Sequence, residues 1–309
     1  MKNSPKNKKI SSERVVITSF FVNVSDIIVN AIVVYLSGSV VMLSQLLQGF
    51  ADLTATGFLV YGVKRSKRKA DKVHPLGYGR EIYFWTFLSA LVTLSITAGA
   101  SFYFGLKRFL NPEPVENIGL AFIALSFALI TNGYSMSLGL KRLLGGSSFS
   151  KIKEVVTKSV LIDTKKAFVL DLMGATASVL GLVALFLCAV SGNYQLDGLG
   201  AMAIGIAMGF MALFILKGAK DLLVGKSASS EIEKKIVKAA ESFPKVNKVL
   251  KLQTLNIGTD KLLVNMEVHL VDKLTTDEIE KLIDKIESEI RRAVPSAAHI
   301  QIELETPDI

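Results

Sequence analysis

Cysteine is almost missing from this chain: Cys188 stands alone and sits in an apolar run. A disulfide framework within one chain is therefore excluded. Histidine is scarce too, with three in 309 residues (His74, His269 and His299), none inside a long apolar run. Imidazole chemistry near neutral pH is thus not available within those runs. No nucleophile–base pair, phosphate-binding glycine loop or closed metal motif can be found, so an enzyme is not expected. Charged residues are also few for an ordinary soluble domain: 20% against 50% hydrophobic, with a mean hydropathy of +0.43. The net charge of +9 is unevenly placed. One basic cluster is Lys2, Lys6, Lys8, Lys9 and Arg14, and another is Lys64, Arg65, Lys67, Arg68, Lys69 and Lys72. Both abut long apolar runs and lack interleaved aromatics, which argues against a nucleic-acid partner. The N-terminal stretch has no small-residue cleavage site after it, so the first apolar run reads as an uncleaved span rather than a signal peptide.

What is present is a set of six apolar runs, each near the ~20 residues that a bilayer core requires. They cover about Val15–Leu36, Val40–Val63, Ile82–Leu106, Ile118–Leu140, Ala167–Val190 and Leu199–Leu216. The linkers alternate in character. Ser37–Ser39, Asn111–Asn117 and Ser191–Asp197 are short or weakly charged, whereas Met1–Arg14, Lys64–Arg80 and Lys141–Lys166 are basic. The bias puts both termini in the cytoplasm of a multi-pass protein, with the cell membrane as the expected location. Lys107 and Arg108 fall on the wrong side, an exception that snorkelling would absorb. From Lys226 the chain turns polar and reads as helix, two strands, helix, strand. Gly258-Thr259-Asp260 marks a turn, Thr275-Thr276-Asp277-Glu278 a helix start, and Pro295 a helix end. The expected fold is an α-helical membrane protein: a six-transmembrane-helix bundle (1–225) with a small cytoplasmic α+β domain (226–309) of order αββαβ.

The second run carries Gln45, Gln48, Asp52 and Thr56 at i, i+3, i+7 and i+11, which makes one helical face polar. A carboxylate in mid-run, as Asp52 is, costs roughly 2.5–3.5 kcal/mol on insertion scales. Such a residue serves a cation site or a structural polar contact between helices. A second acid, Asp171, opens the fifth run nearer its cytoplasmic edge and is also consistent with a helix cap. In the first run Asn23, Asp26 and Asn30 share a face that lines the same cavity or bonds a neighbouring helix. Gly205-Ile206-Ala207-Met208-Gly209 is a GxxxG pattern that permits close helix contact and carries no chemistry.

Several of these segments resemble the cation diffusion facilitator family. Gly38-Ser39-Val40 is similar to its first turn and Gly49-Phe50-Ala51-Asp52 to its span-two motif. His74-Pro75-Leu76-Gly77-Tyr78-Gly79-Arg80-Glu81 is similar to its loop signature, and Asp197-Gly198 to its span-six opening. The resemblance implies a homodimer that exports divalent metal, usually zinc, in exchange for protons. It implies a tetrahedral site at Gln48, Asp52, Ala167 and Asp171, two of which depart from the usual His or Asp. The span-five pattern resembles the branch that contains the mitochondrial zinc transporter. Accessory sites would fall on Asp71, His74 and Tyr78 in the loop and on His269, Glu303 and Glu305 in the tail.

Two carboxylates and an amide oxygen form a hard donor set, which suits Mn²⁺, Fe²⁺ or Mg²⁺ relatively better than Zn²⁺, while family resemblance favours Zn²⁺. Asp26, Asn23 or water would complete the shell. No catalytic cofactor is expected; the metal is cargo. Two carboxylates facing one low-dielectric cavity do not both stay ionised without a cation between them, which supplies proton coupling. The alternative is a non-transporting family member acting as a scaffold or regulatory partner in a dimer, for which Gln48 and Ala167 speak.

Overall fold

The computed structural model describes residues 12–144 and 162–307, with side chains described for 24–141, 168 and 170–307. Long helices dominate: α1 (Ser12–Ser37), α2 (Val40–Ser66), α3 (Glu81–Val92), α4 (Ser101–Leu110), α5 (Ile118–Leu144), α6 (Ile162–Ser191) and α7 (Gln195–Val224). A π-helical stretch, Thr93–Ala100, joins α3 to α4 and makes them one continuous rod. Among the described residues five helices are long and apolar enough to cross a membrane, and Val24–Ser37 of α1 is a shorter apolar segment. Next come α8 (Ser230–Ala240), β1 (Val246–Gly258), β2 (Lys261–Leu270), α9 (Thr276–Ala293) and β3 (Ala297–Leu304). This is the expected architecture: a helical membrane bundle followed by a small α+β domain of order αββαβ.

By contacts the chain divides into two compact units. The first comprises Met1–Gly57 and Leu88–Ile215. Its core is Val41, Met42, Leu125, Met173, Leu185, Ile204 and Met208. Small residues set the helix spacing here. A β-carbon on Gly105 of α4 would lie 2.7 Å from the carbonyl of Gly198 on α7. One on Gly205 would lie 2.9 Å from that of Ala98. The GxxxG reading therefore holds as a packing device. The start of α2 is bound by a buried carboxylate. Asp197, with 0% exposure, accepts Ser39 Oγ at 2.6 Å and the N–H groups of Val40 (2.8 Å) and Val41 (3.1 Å). These would otherwise be orphan donors of a helix N-terminus. Gly38 precedes them at φ +62°, a left-handed turn residue. Arg108 donates to the Gly38 carbonyl (2.7 Å) and to that of Glu113 (2.9 Å). With 9% exposure it is buried, so the snorkelling expectation is corrected for Arg108: the guanidinium satisfies carbonyls of the 37–39 and 111–117 linkers instead.

The second unit comprises Phe58–Phe87 and Leu216–Ile309. Its sheet has the order β1-β2-β3, with β1 antiparallel and β3 parallel to β2. Alternate residues of β2 (Leu262, Val264, Met266 and Val268) point into a core closed by Ile236 of α8 and Leu282, Ile286 and Ile290 of α9. The spacing of those three α9 residues gives the helix one apolar stripe. α9 opens on a capping box between Thr275 and Glu278. In the same unit the 67–80 loop meets the β1–β2 turn. A β-carbon on Gly79 would overlap the Ile257 carbonyl and fall 3.0 Å from Gly258 Cα. Tyr83 Oη donates to the Gly258 carbonyl at 2.9 Å, and Arg80 donates to the carbonyl of Leu223.

Candidate metal centre

The polar face of α2 lies inside the first unit. Gln45 and Gln48 are 6% and 4% exposed. Among the described residues, Gln45 Nε2, Gln48 Oε1 and Asp52 Oδ1 are buried atoms without a hydrogen-bond partner. A buried polar atom left unpaired costs about 1–3 kcal/mol, more when charged, so two orphan oxygens one turn apart need a reason. Thr56 does not share this condition: its hydroxyl donates to the Asp52 carbonyl at 2.8 Å, within its own helix. The polar face thus narrows to Gln45, Gln48 and Asp52.

Asp171 lies nine residues past the first residue of α6. The helix-cap alternative is therefore corrected; the basic linker continues into the helix and hides its true start. Its Oδ2 accepts Ser135 Oγ from α5 at 2.7 Å. The two acids are brought to one level by the packing of their helices. A β-carbon on Gly181 of α6 would lie 2.8 Å from Val41 Cγ1, which pins α2 against α6 at that height. Asp52 is eleven residues on from Val41, and Asp171 is ten residues before Gly181. At 1.5 Å per residue both lie about 15–17 Å from the contact.

Other sequence candidates fare differently. Asn23 lies on α1, but its side chain is outside the described residues, as is that of Ala167. Asp26 is partly buried, and no described interaction joins it to Asp52 or Asp171. Asn30 is buried at 7% exposure. α1 does reach α2 beside the polar face, since a β-carbon on Gly49 would lie 2.8 Å from Ile27 Cγ1.

In the loop, Asp71 is already saturated. Oδ1 accepts the N–H groups of Val73 (3.0 Å) and His74 (2.8 Å), and Oδ2 accepts Tyr78 Oη at 2.7 Å. The Tyr78 hydroxyl, then the His74 N–H, hold the Asp71 carboxyl below the usual range, and the same bond pushes the Tyr78 phenol up. His74 stacks on Tyr78 with ring centres 4.2 Å apart. This cluster folds the loop and leaves no free donor set. In the tail, His269 Nδ1 lies 3.3 Å from the Glu305 carbonyl, and Glu303 stands across from Glu267. No three His, Cys, Asp or Glu among the described residues group closely enough to hold a metal. The donors around Asp52 and Asp171 are thus two carboxylates with amide and hydroxyl oxygens. Ser135 and its neighbour Asn132 escaped the sequence reading; their only signal was a pair of polar residues, i and i+3, in an apolar run.

A bundle of membrane-length apolar helices with two carboxylates at one level on α2 and α6 defines a class: an integral, multi-pass membrane protein. Comparison with known proteins narrows it. The model of the cation efflux transmembrane domain matches residues 16–224, and that of the cation efflux protein cytoplasmic domain matches 228–307. The chain belongs to the cation efflux, or cation diffusion facilitator, family. It is 25% identical over 285 residues to the Proton-coupled zinc antiporter SLC30A9, mitochondrial, of Xenopus laevis, covering 90% of this chain and 51% of that protein. It is 22% identical over 340 residues to Metal tolerance protein C4 of Arabidopsis thaliana (96% and 74% covered). With the Cation-efflux pump FieF of Klebsiella pneumoniae it shares 24% over 268 residues (84% and 82%). The chain spans about half the length of the zinc antiporter relatives it matches. A solved nickel form of the MamM CTD is 18% identical, covering 26% of this chain and 100% of its own, with a TM-score of 0.24.

Proposed function

We propose that this protein exports a divalent metal cation by alternating access around Asp52 and Asp171, with Gln48 as a third donor and protons as counter-ions. The observation that carries the reading is the pair of orphan buried oxygens, Gln48 Oε1 and Asp52 Oδ1, at the level of a second carboxylate. A cation placed there satisfies atoms that the protein leaves unsatisfied. Asp26 and Asn23 on α1 would supply further donors, directly or through water. The cargo assigned by kinship is zinc, since relatives carry that metal in their names. The all-oxygen donor set extends the range to manganese and iron.

Proton coupling follows from charge. Without metal, two carboxylates at one height in a low dielectric repel, and a proton relieves them; metal arriving displaces it. The relatives named as proton-coupled antiporters support the same reading. The working assembly is a homodimer in the cell membrane with both termini cytoplasmic. Residues 1–225 form the transport domain, and 226–309 the dimerising and regulatory domain, in line with the name of the tail's family model.

The test is uptake of Zn²⁺ and Mn²⁺ by proteoliposomes containing the purified chain, with and without an imposed pH gradient. Flux that follows the gradient and vanishes in Asp52→Ala and Asp171→Ala supports the proposal; flux that survives both substitutions together removes it. A second reading, a non-transporting dimer partner, has the substitutions Gln48 and Ala167 in its favour. Flux by the purified chain alone decides against it.

A further inference from the structure

The centre has three protein donors from α2 and α6, and the fourth family position, Ala167, has no donor atom in its side chain. The seam between α5 and α6 offers a replacement. Its register is legible from the small residues. A β-carbon on Gly139 would meet Phe168 at 3.7 Å, and one on Gly181 would meet Leu125 at 3.2 Å. Between these, Ser135 bonds Asp171, and one turn further Asn132 lies over Gly174. A β-carbon on Gly174 would fall 2.6 Å from Asn132 Oδ1, 2.7 Å from Cγ and 2.9 Å from Nδ2. The amide occupies the space that a side chain would take.

The orientation of that amide is fixed by its own helix. Asn132 Nδ2 donates to the Ala128 carbonyl at 2.8 Å, which leaves Oδ1 as the amide atom nearest the Gly174 position of α6. Its height is informative. Gly174 is seven residues before Gly181, and Gln48 is seven residues after Val41, so both lie about 10 Å from the Val41–Gly181 contact. Seven residues are nearly two full turns, so Gly174 shares with Gly181 the face of α6 that meets both α2 and α5. The centre therefore has two layers: Asp52, Asp171 and Ser135 in one, and Gln48 and Asn132 one turn above.

Taking the cation reading above as its basis, we infer that Asn132 Oδ1 is the fourth ligand of the transported cation, and that Gly174 is the residue that gives it room. The ligand set is two carboxylates and two amide oxygens, with the Asn132 donor about two turns nearer the C-terminal end of α6 than a donor at position 167 would be. It selects against zinc's nitrogen and sulfur preference and for a harder ion such as Mn²⁺. Gly174→Ala then acts on metal only through Asn132, by pushing its amide aside.

The experiment measures Mn²⁺ and Zn²⁺ affinity and uptake of the full chain in proteoliposomes for Asn132→Ala, Gly174→Ala, the double variant and Asn132→His. Each single alanine should weaken Mn²⁺ binding by at least about tenfold, the lower end of what losing a group around a metal costs. The double variant should bind no worse than Asn132→Ala alone. It also removes the clash, so it reports even where Gly174→Ala does not fold. Asn132→His should move the Zn²⁺/Mn²⁺ preference toward zinc. Unchanged affinities in both Asn132 variants, with Asp52→Ala still abolishing binding, would overturn the assignment and leave the two-carboxylate centre standing. Binding that survives Asp52→Ala and Asp171→Ala would instead bring down the reading beneath it.

Discussion

Asp52 and Asp197 are both carboxylates held among apolar helices, and they are in opposite states. Asp197 has three donors around it, and both its oxygens accept. Asp52 has a buried oxygen with no donor among the described residues. The first knots a chain turn to a helix start, with both oxygens engaged. The second is held by packing in a place it does not stabilise. Burial alone does not separate the two; the satisfaction of their lone pairs does. The Asp71 cluster teaches the same lesson outside the bilayer. Its residues are metal-binding types at tempting spacing, but every oxygen is engaged by the loop itself.

The sharpest way to break this comparison is to exchange the outcomes. Asp52→Ala should abolish metal-dependent flux and leave thermal stability in detergent equal or slightly higher, because an unsatisfied buried group is removed. Asp197→Ala should do the reverse. It strips three hydrogen bonds to a charged group, costs about 3–5 kcal/mol, and lowers the unfolding midpoint without a specific effect on metal preference. Equal destabilisation by the two would erase the distinction. A smaller effect is expected where main chain meets main chain. Gly79→Ala places a methyl against the Ile257 carbonyl, a partner that cannot swing away, and should cost about 1–3 kcal/mol, read as faster amide exchange at the 256–260 turn. Next comes Thr275→Ala, which removes the hydroxyl of the α9 capping box and should cost about 1 kcal/mol in chemical denaturation.

The smallest effect is one of pH. The Lys245 ammonium, then the Thr275 N–H, lower the Glu278 carboxyl from its ordinary 4.5 to about 2. A carboxyl lowered in the folded chain stabilises above its ordinary value, and that contribution is lost as pH falls through the folded value. The gap in unfolding midpoint between the parent and Lys245→Ala should be small at neutral pH, for the pair is exposed. It should shrink as pH drops from 4.5 toward about 2.

Much of this was legible beforehand because hydropathy and local chemistry are written along the chain. Asp52 announces itself by its depth in an apolar run, and α9 by Thr275, Glu278 and Pro295 at its ends. What was hidden depends on how helices are rotated about their axes. Asn132 and Ser135 read as unremarkable polar residues of a span until α6 is laid beside α5. Arg108 reads as an exception to a charge rule until its carbonyl partners are seen. The π-helical stretch at Thr93–Ala100 leaves no sequence mark at all, since it is a matter of hydrogen-bond register.

The seam at Gly79 and Gly258 has a mechanical meaning. Side chains are the compliant part of a protein interface: they change rotamer and soak up small displacements. Here backbone rests on backbone, and a tyrosine hydroxyl from the next helix clamps the joint. With no cushion between them, the 67–80 loop and the β1–β2 turn move together or separate altogether, and a shift of the turn arrives two residues before Glu81, where α3 begins, almost undiminished.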